Sequence, residues 1–191
     1  MLDLRGGAVL ARWLTGLHQQ HTPIQIDLRS GLDELTLHEL LRADAADIAL
    51  TSEAEAERWV EHHRWTDTYR LVVTSQEERT TASVAQALGA DPYLAFPHSG
   101  DHLLRAHLQG LGIDVRVAAR IDHIDVLLSL VTQGGGCAIV PTSMLPAQLG
   151  GLRALHRLPT VLRRISLLAR PRSLQSAAVR QIVDALATCA F

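Results

Sequence analysis

The sequence predicts an α/β protein with two Rossmann-like lobes joined by two crossover strands, and three observations carry that expectation. Strand-like and helix-like periodicities alternate along most of the 191 residues, the pattern of sheets covered by helices. A complete strand, helix, glycine turn and strand unit spans residues 114–141. A further strand and helix follow it with no evident partners there, so the chain is expected to cross back to where it began.

Taken in order, residues 2–5 form a short strand candidate, and Val9, Leu10, Trp13, Leu14 and Leu17 mark one face of a helix running to about Gln20. Beyond Pro23, residues 24–29 read as a strand, residues 32–41 as a helix with Asp33 and Glu34 in its first turn, and residues 47–51 as a buried strand. The charged stretch 52–65 reads as a loop or short helix. Residues 68–74 are the next strand, and the polar run 75–81 is a linker candidate. A short helix is expected over 83–88 and a buried strand over 93–97. Leu103, Leu104, His107, Leu108 and Leu111 then form a helical face that Gly112 ends.

In the 114–141 unit, Val115, Val117 and Ile121 fall close to a period of two, and Ile124, Leu127, Leu128, Leu130 and Val131 recur at helical spacing. Asp122 is the expected N-cap, Gly134 to Gly136 the stop, and Cys137 to Val140 a short buried strand closed by Pro141. A short helix near 142–149, a Gly-Gly turn at 150 and 151, a strand over 164–170 and a helix over 173–190 capped by Ser173 or Ser176 complete the chain. The lobes are expected at roughly 1–76 plus 157–191, and 77–156. Helix starts that follow strands gather unpaired N–H groups, and ligands of open α/β sheets sit beyond the carboxyl ends of strands. A small-molecule pocket is therefore expected in a cleft between the lobes.

Composition narrows the function classes. At 47% hydrophobic residues the chain can bury a real core, and a formal net charge of -2 gives no basic footprint for nucleic acid. All 18 basic residues are arginine, so a Walker-type phosphate loop and a Schiff-base lysine are excluded. Two cysteines, Cys137 and Cys189, make neither a disulfide framework nor a metal cluster and fit a reducing compartment. No signal peptide or transmembrane run is evident, which gives a cytoplasmic expectation. No Ser-His-Asp set, carboxylate pair or phosphate loop stands out, and neither enzyme activity, a cofactor nor a metal is expected.

LARWL in the first helix, HTPIQIDLRSGLDEL, ADIAL, YRLVV, the Ser-Gly turn at 99 and 100, and DVLLSLVTQGGGCAIVP together resemble the effector-binding domain of LysR-type transcriptional regulators, with features running through almost the whole chain. The resemblance implies a type 2 periplasmic-binding-protein fold and a small-molecule effector, an organic acid, amino acid or related metabolite. It also implies a homodimer or homotetramer whose rearrangement changes how winged helix-turn-helix domains lie on promoter DNA. Neither that domain nor its linker helix is expected within these residues. An uptake receptor of the same fold is the alternative. Dimers of the family pair residues 8–20 against residues 123–133 of the partner, with Trp13 and Leu17 near the contact.

Carried over residue by residue, the ligand donors fall on Gly7, Ala8 and Val9, on Thr51, on Ser99 and Gly100, and on Asp122 and His123. Gly7 to Val9 offer backbone N–H groups where many members place hydroxyls. Asp101 stands where a positive or hydroxyl residue is common, which leaves room for an amine-bearing or neutral ligand. Each residue also has a plain structural reading: Ser99 as a helix N-cap, Thr51 as a strand end, His123 as an exposed first-turn residue. Cys137 reads as a small buried hydrophobe or a redox sensor. His98 and His102 have metal-like spacing, but ten histidines scattered over the chain make coincidence the better account.

Overall fold

A computed structural model describes residues 15–17, 24–29, 32, 34–51, 59–75, 84–98, 100–146, 148–155 and 161–188. The chain divides into two compact units, Met1–Asp67 with Arg164–Phe191, and Thr68–Arg163. The expected strand 2–5 and the linker core 76–80 lie outside the described residues, as does most of the first helix, of which residues 15–17 are helical.

The first unit contains α1 (Glu34–Arg42), β1 (Ile48–Thr51), the start of β2 (Val60–Thr74), most of β7 (Leu162–Ala169) and α5 (Ala177–Ala187). β1 runs antiparallel to β7, with Ile48 opposite Ala169 and Thr51 opposite Ser166, and β7 lies between β1 and β2. Alternate residues Ile165, Leu167 and Ala169 of β7 point to one face, where Trp65 and the α5 residues Val179, Val183 and Leu186 cover them. Arg170 holds Asp47 at 2.8 Å and also pairs with Asp44, while the Ser173 hydroxyl donates to Asp47 at 2.8 Å. This fastens the turn before β1 to the exit of β7.

The second unit contains the rest of β2, α2 (Val84–Ala90), β3 (Tyr93–Ala95), α3 (Asp101–Gly110), β4 (Val117–Arg120), α4 (Ile124–Thr132), β5 (Ala138–Pro141) and β6 (Leu152–Leu155). β3 pairs parallel with β4 and bridges parallel to Cys137 at the head of β5. β5 and β6 each run antiparallel to β2. One face of these strands packs Tyr69, Leu71, Tyr93, Cys137 and Ile139 against α2 and α3, the latter through Leu104 and Leu108. The other packs Val72, Leu94, Ala138 and Val140 against Ile124, Leu127, Leu128 and Val131 of α4.

Glycines terminate the helices as their positions suggest. Gly134 sits at φ 80, its N–H bonding Val131 O and that of Gly135 bonding Leu130 O, a Schellman closure of α4. Gly112 at φ 72 closes α3 in the same way, with Ile113 N–H on Leu108 O.

Several expectations are corrected. Residues 60–65 are strand, since β2 runs fifteen residues with alternating exposure. Its polar outer side hides the period of two that Trp65, Asp67, Tyr69 and Leu71 display. Residues 24–29 carry no strand assignment, for no ladder partner reaches them among the described residues. His123, in an extended conformation, occupies the N-cap of α4 in place of Asp122. Gly100 occupies that of α3. The helix expected near 142–149 is one 3-10 turn, Thr142–Met144, and β6 follows the Gly-Gly turn where no strand was expected. The C-terminal helix is split, with a 3-10 turn at Ser173–Gln175 and Ser176 at the N-cap of α5.

Candidate functional site

The strands β3, β4 and the head of β5 are parallel, so their carboxyl ends fall at one edge of the second unit. Phe96 to His98 leave β3 there and Gly100 precedes α3, Ile121 to His123 leave β4 and lead into α4, and Thr142 follows β5 directly. Gly100, Asp122 and His123 are thus brought to a common edge. Asp122 and His123 are exposed, and Gly100 is buried. Thr51 belongs to the first unit, and Gly7, Ala8, Val9 and Ser99 lie outside the described residues.

Gly100 adopts φ 92, and a Cβ built on it would lie 2.8 Å from the Tyr69 hydroxyl and 3.7 Å from the Arg163 side chain. Only glycine meets both demands. The Tyr69 hydroxyl lies 3.1 Å from His98 Nε2, and His98 Nδ1 lies 2.8 Å from the Phe96 carbonyl. A carbonyl can only accept, so Nδ1 carries the proton, Nε2 is the bare acceptor and Tyr69 donates to it. Burial pulls the His98 pKa down to about 4. The Phe96 carbonyl opposes that shift, and the nearby Arg163 charge adds to it. The ring therefore stays neutral at physiological pH, and the loop entering α3 is pinned to β2.

Asp101, in the first turn of α3, is buried and bonds Arg105 one turn on at 2.7 Å. The helix thus carries its own compensated carboxylate at this end. On the opposite face of β2, the hydroxyls of Thr68 and Thr142 meet at 2.9 Å. Among the described residues no group of three His, Cys, Asp or Glu is arranged to hold a metal ion. His98 is engaged with Tyr69 and Phe96 as above.

In the first unit Thr51 is fully enclosed, opposite Ser166 across the β1 and β7 ladder. The Ser166 hydroxyl donates to Glu61 Oε1. Arg64 grips both oxygens of Glu61, at 2.7 and 2.5 Å, and these bonds, with that of Ser166, hold the carboxyl below its usual range despite partial desolvation. Cys137 is fully buried, its thiol 4.0 Å from the Ala87 carbonyl, and fills the core between β3 and α2.

Sequence reasoning missed Tyr69, His98, Thr68, Thr142 and Arg163 as neighbours of this edge. Position was a signal for His98 and Thr142, which follow buried strands, and for Arg163 near the start of β7, whereas Thr68 and Tyr69 lie within β2 and only their distant partners reveal their place.

Parallel strands whose carboxyl ends feed helix N-termini in the second unit, with two strands of the chain running through both units, accord with an α/β ligand-binding domain of the type 2 periplasmic-binding-protein class. The model of the LysR substrate binding domain matches residues 4–190, and the chain belongs to that family. Solved structures agree in fold. The effector-binding domain of QuiR, in complex with shikimate, superposes with a TM-score of 0.74 at 15% identity, covering 96% of this chain and 90% of that one. The regulatory domain of CcmR from Synechocystis PCC6803, in complex with 2-PG, gives 0.76 at 14% identity, covering 94% and 90%. Full-length CbnR, complexed with target DNA, gives 0.70 at 18% identity, and the match covers 94% of this chain and 66% of that longer one. No curated protein matches the sequence. No helix among the described residues is long and apolar enough to cross a membrane.

Proposed function

We propose that this domain is a sensor without catalytic activity: it binds a small metabolite, an organic acid, amino acid or related compound, and thereby controls promoter binding by a LysR-type transcriptional regulator in the cytoplasm. The observation that carries the reading is the convergence of three parallel strand ends and two helix starts at one edge of the second unit, in a chain of this family. Gly100, Asp122 and His123 are assigned to ligand contact there. Thr51 is assigned from the first unit, with Gly7, Ala8, Val9 and Ser99 as the remaining contacts. Effector binding biases an equilibrium between arrangements of a homodimer or homotetramer. DNA is contacted through the winged helix-turn-helix that regulators of this family carry.

A thermal-shift screen against small carboxylates, amino acids, amines and aromatic acids tests this. Shikimate and 2-PG go first, because related domains were solved with them. An effector at a hundred times its Kd stabilises the folded state by about 2.7 kcal/mol. The rise is expected to vanish in Asp122→Ala with His123→Ala, whose exposed side chains leave unliganded melting unchanged. A rise that persists in that variant removes these residues from the site.

The assembly has its own support. Leu17 is buried in the first unit and serves its core, and Trp13 lies outside the described residues. On α4, however, Val126 and Leu130 are exposed apolar residues one turn apart. Val126→Asp with Leu130→Asp is expected to shift the chain to monomer in light scattering; an unchanged mass places the contact elsewhere.

A further inference from the structure

We propose that Tyr69 and His98 are positioning residues of the effector site: the hydrogen bond between them holds the chain at the head of α3 in the shape that receives the ligand. The inference rests on the effector-sensing reading above and adds to it two residues that act through Gly100.

Gly100 can offer an effector only its backbone, so its worth as a contact depends on what fixes that backbone. His98 does so through three bonds. Its ring accepts from the Tyr69 hydroxyl at 3.1 Å and donates to the Phe96 carbonyl at 2.8 Å, and its own carbonyl accepts the Asp101 N–H at 3.1 Å. The Gly100 carbonyl then accepts the N–H groups of Leu103 and Leu104, which begins α3. Tyr69 is set in β2 and buried in the core beside Leu71 and Leu104. One bond between side chains therefore joins the middle of β2 to the first turn of α3.

The surroundings fit that bond closely. The Tyr69 hydroxyl lies 2.8 Å from where a Cβ on Gly100 would stand, so the missing side chain is what lets the hydroxyl lie against the turn. The His98 ring stacks on Phe96 and tilts against Tyr69, each at 5.5 Å between centroids. Its two nitrogens work in opposite senses, one giving a proton and one receiving, so a replacement must supply both. A backbone already in the receiving shape leaves little ordering for the ligand to impose. With the bond cut, that shape is one of several, and the apparent Kd rises by the inverse of its population.

The experiment joins calorimetric titration to amide hydrogen exchange on the full chain, with small carboxylates, amino acids, amines and aromatic acids as probes, shikimate and 2-PG included. Tyr69→Phe and His98→Phe each keep a ring and delete the bond. Both are expected to weaken every probe that the unaltered chain binds by about fivefold, and to speed exchange at Asp101 to Leu104. The double variant should lose no more than His98→Phe alone, because the two changes cut the same bond. His98→Gln, which supplies a donor and an acceptor, should recover most of the affinity. Titrations are run well below each variant's melting transition, where a loss of stability by itself leaves the Kd of the folded chain unchanged. Unchanged affinity in both phenylalanine variants, or losses that add in the double variant, overturn the positioning role and leave effector sensing standing. No binding by any probe to the unaltered chain overturns both.

Discussion

At Gly100 two independent demands meet in one residue. A side chain there would suffer the left-handed backbone at φ 92 and press a Cβ to 2.8 Å from the Tyr69 hydroxyl. Gly100→Ala is expected to lower stability by about 2 kcal/mol in urea titration. Adding Tyr69→Phe to Gly100→Ala should recover part of that loss; strict additivity of the two would show that the hydroxyl is not the obstacle. His98 makes a pH prediction. Its folded pKa, about 4, is depressed below the ordinary histidine value, so between the two the unfolded chain binds more protons. Stability is then full above about pH 6.5 and falls as the pH drops toward 4, by up to about 3 kcal/mol. A variant His98→Gln, which retains a donor and an acceptor, should flatten that slope. Neither residue's role was legible in the sequence. A glycine after serine reads as a turn, and the partner across from it, Tyr69, is thirty-one positions earlier in the numbering.

Helix α4 was legible because its periodicity largely coincides with burial, while the short strand β3 was legible as a continuous apolar run. Leu127, Leu128 and Val131 of α4 are buried as the helical spacing requires, and the glycine stop lies where it was expected. Leu127→Ala should cost about 3 kcal/mol, whereas Ser129→Ala at an exposed position of the same helix should stay within about 0.5 kcal/mol. Equal losses would mean that α4 is turned about its axis. Elements failed to show where a local pattern conflicts with a distant partner. The charged run before β2 offers no apolar alternation until Trp65, and only pairing along the strand extends it back to Val60. Caps were legible to within one residue, because Asp122 and His123 both precede an apolar face and the sequence does not reveal which one adopts the extended conformation. Gly136, at φ 145, would put a Cβ 2.2 Å from the Pro92 carbonyl oxygen, the acceptor of the Cys137 N–H. Gly136→Ala is therefore expected to break the parallel bridge of Cys137 to β3 and to abolish cooperative unfolding monitored by near-UV circular dichroism.

For the molecule as a whole, the α/β class and the crossing of the chain were legible from the order of elements, because a strand and helix without partners must find them elsewhere. The position of the crossing was not, since β2 and β7 look like ordinary strands on either side of it. The division has a consequence for synthesis. The second unit, Thr68–Arg163, is one uninterrupted stretch, and both apolar clusters that α3 and α4 cover are contained in it. The first draws Trp65, Ile48 and Leu50 from early in the chain and Ile165, Leu167, Val179 and Val183 from its last part. As the polypeptide leaves the ribosome, the middle can therefore assemble while the earlier segment waits, reversing the usual order in which the amino-terminal part folds first. The first unit is finished last, once the segment from Arg164 onward joins the one before Thr68.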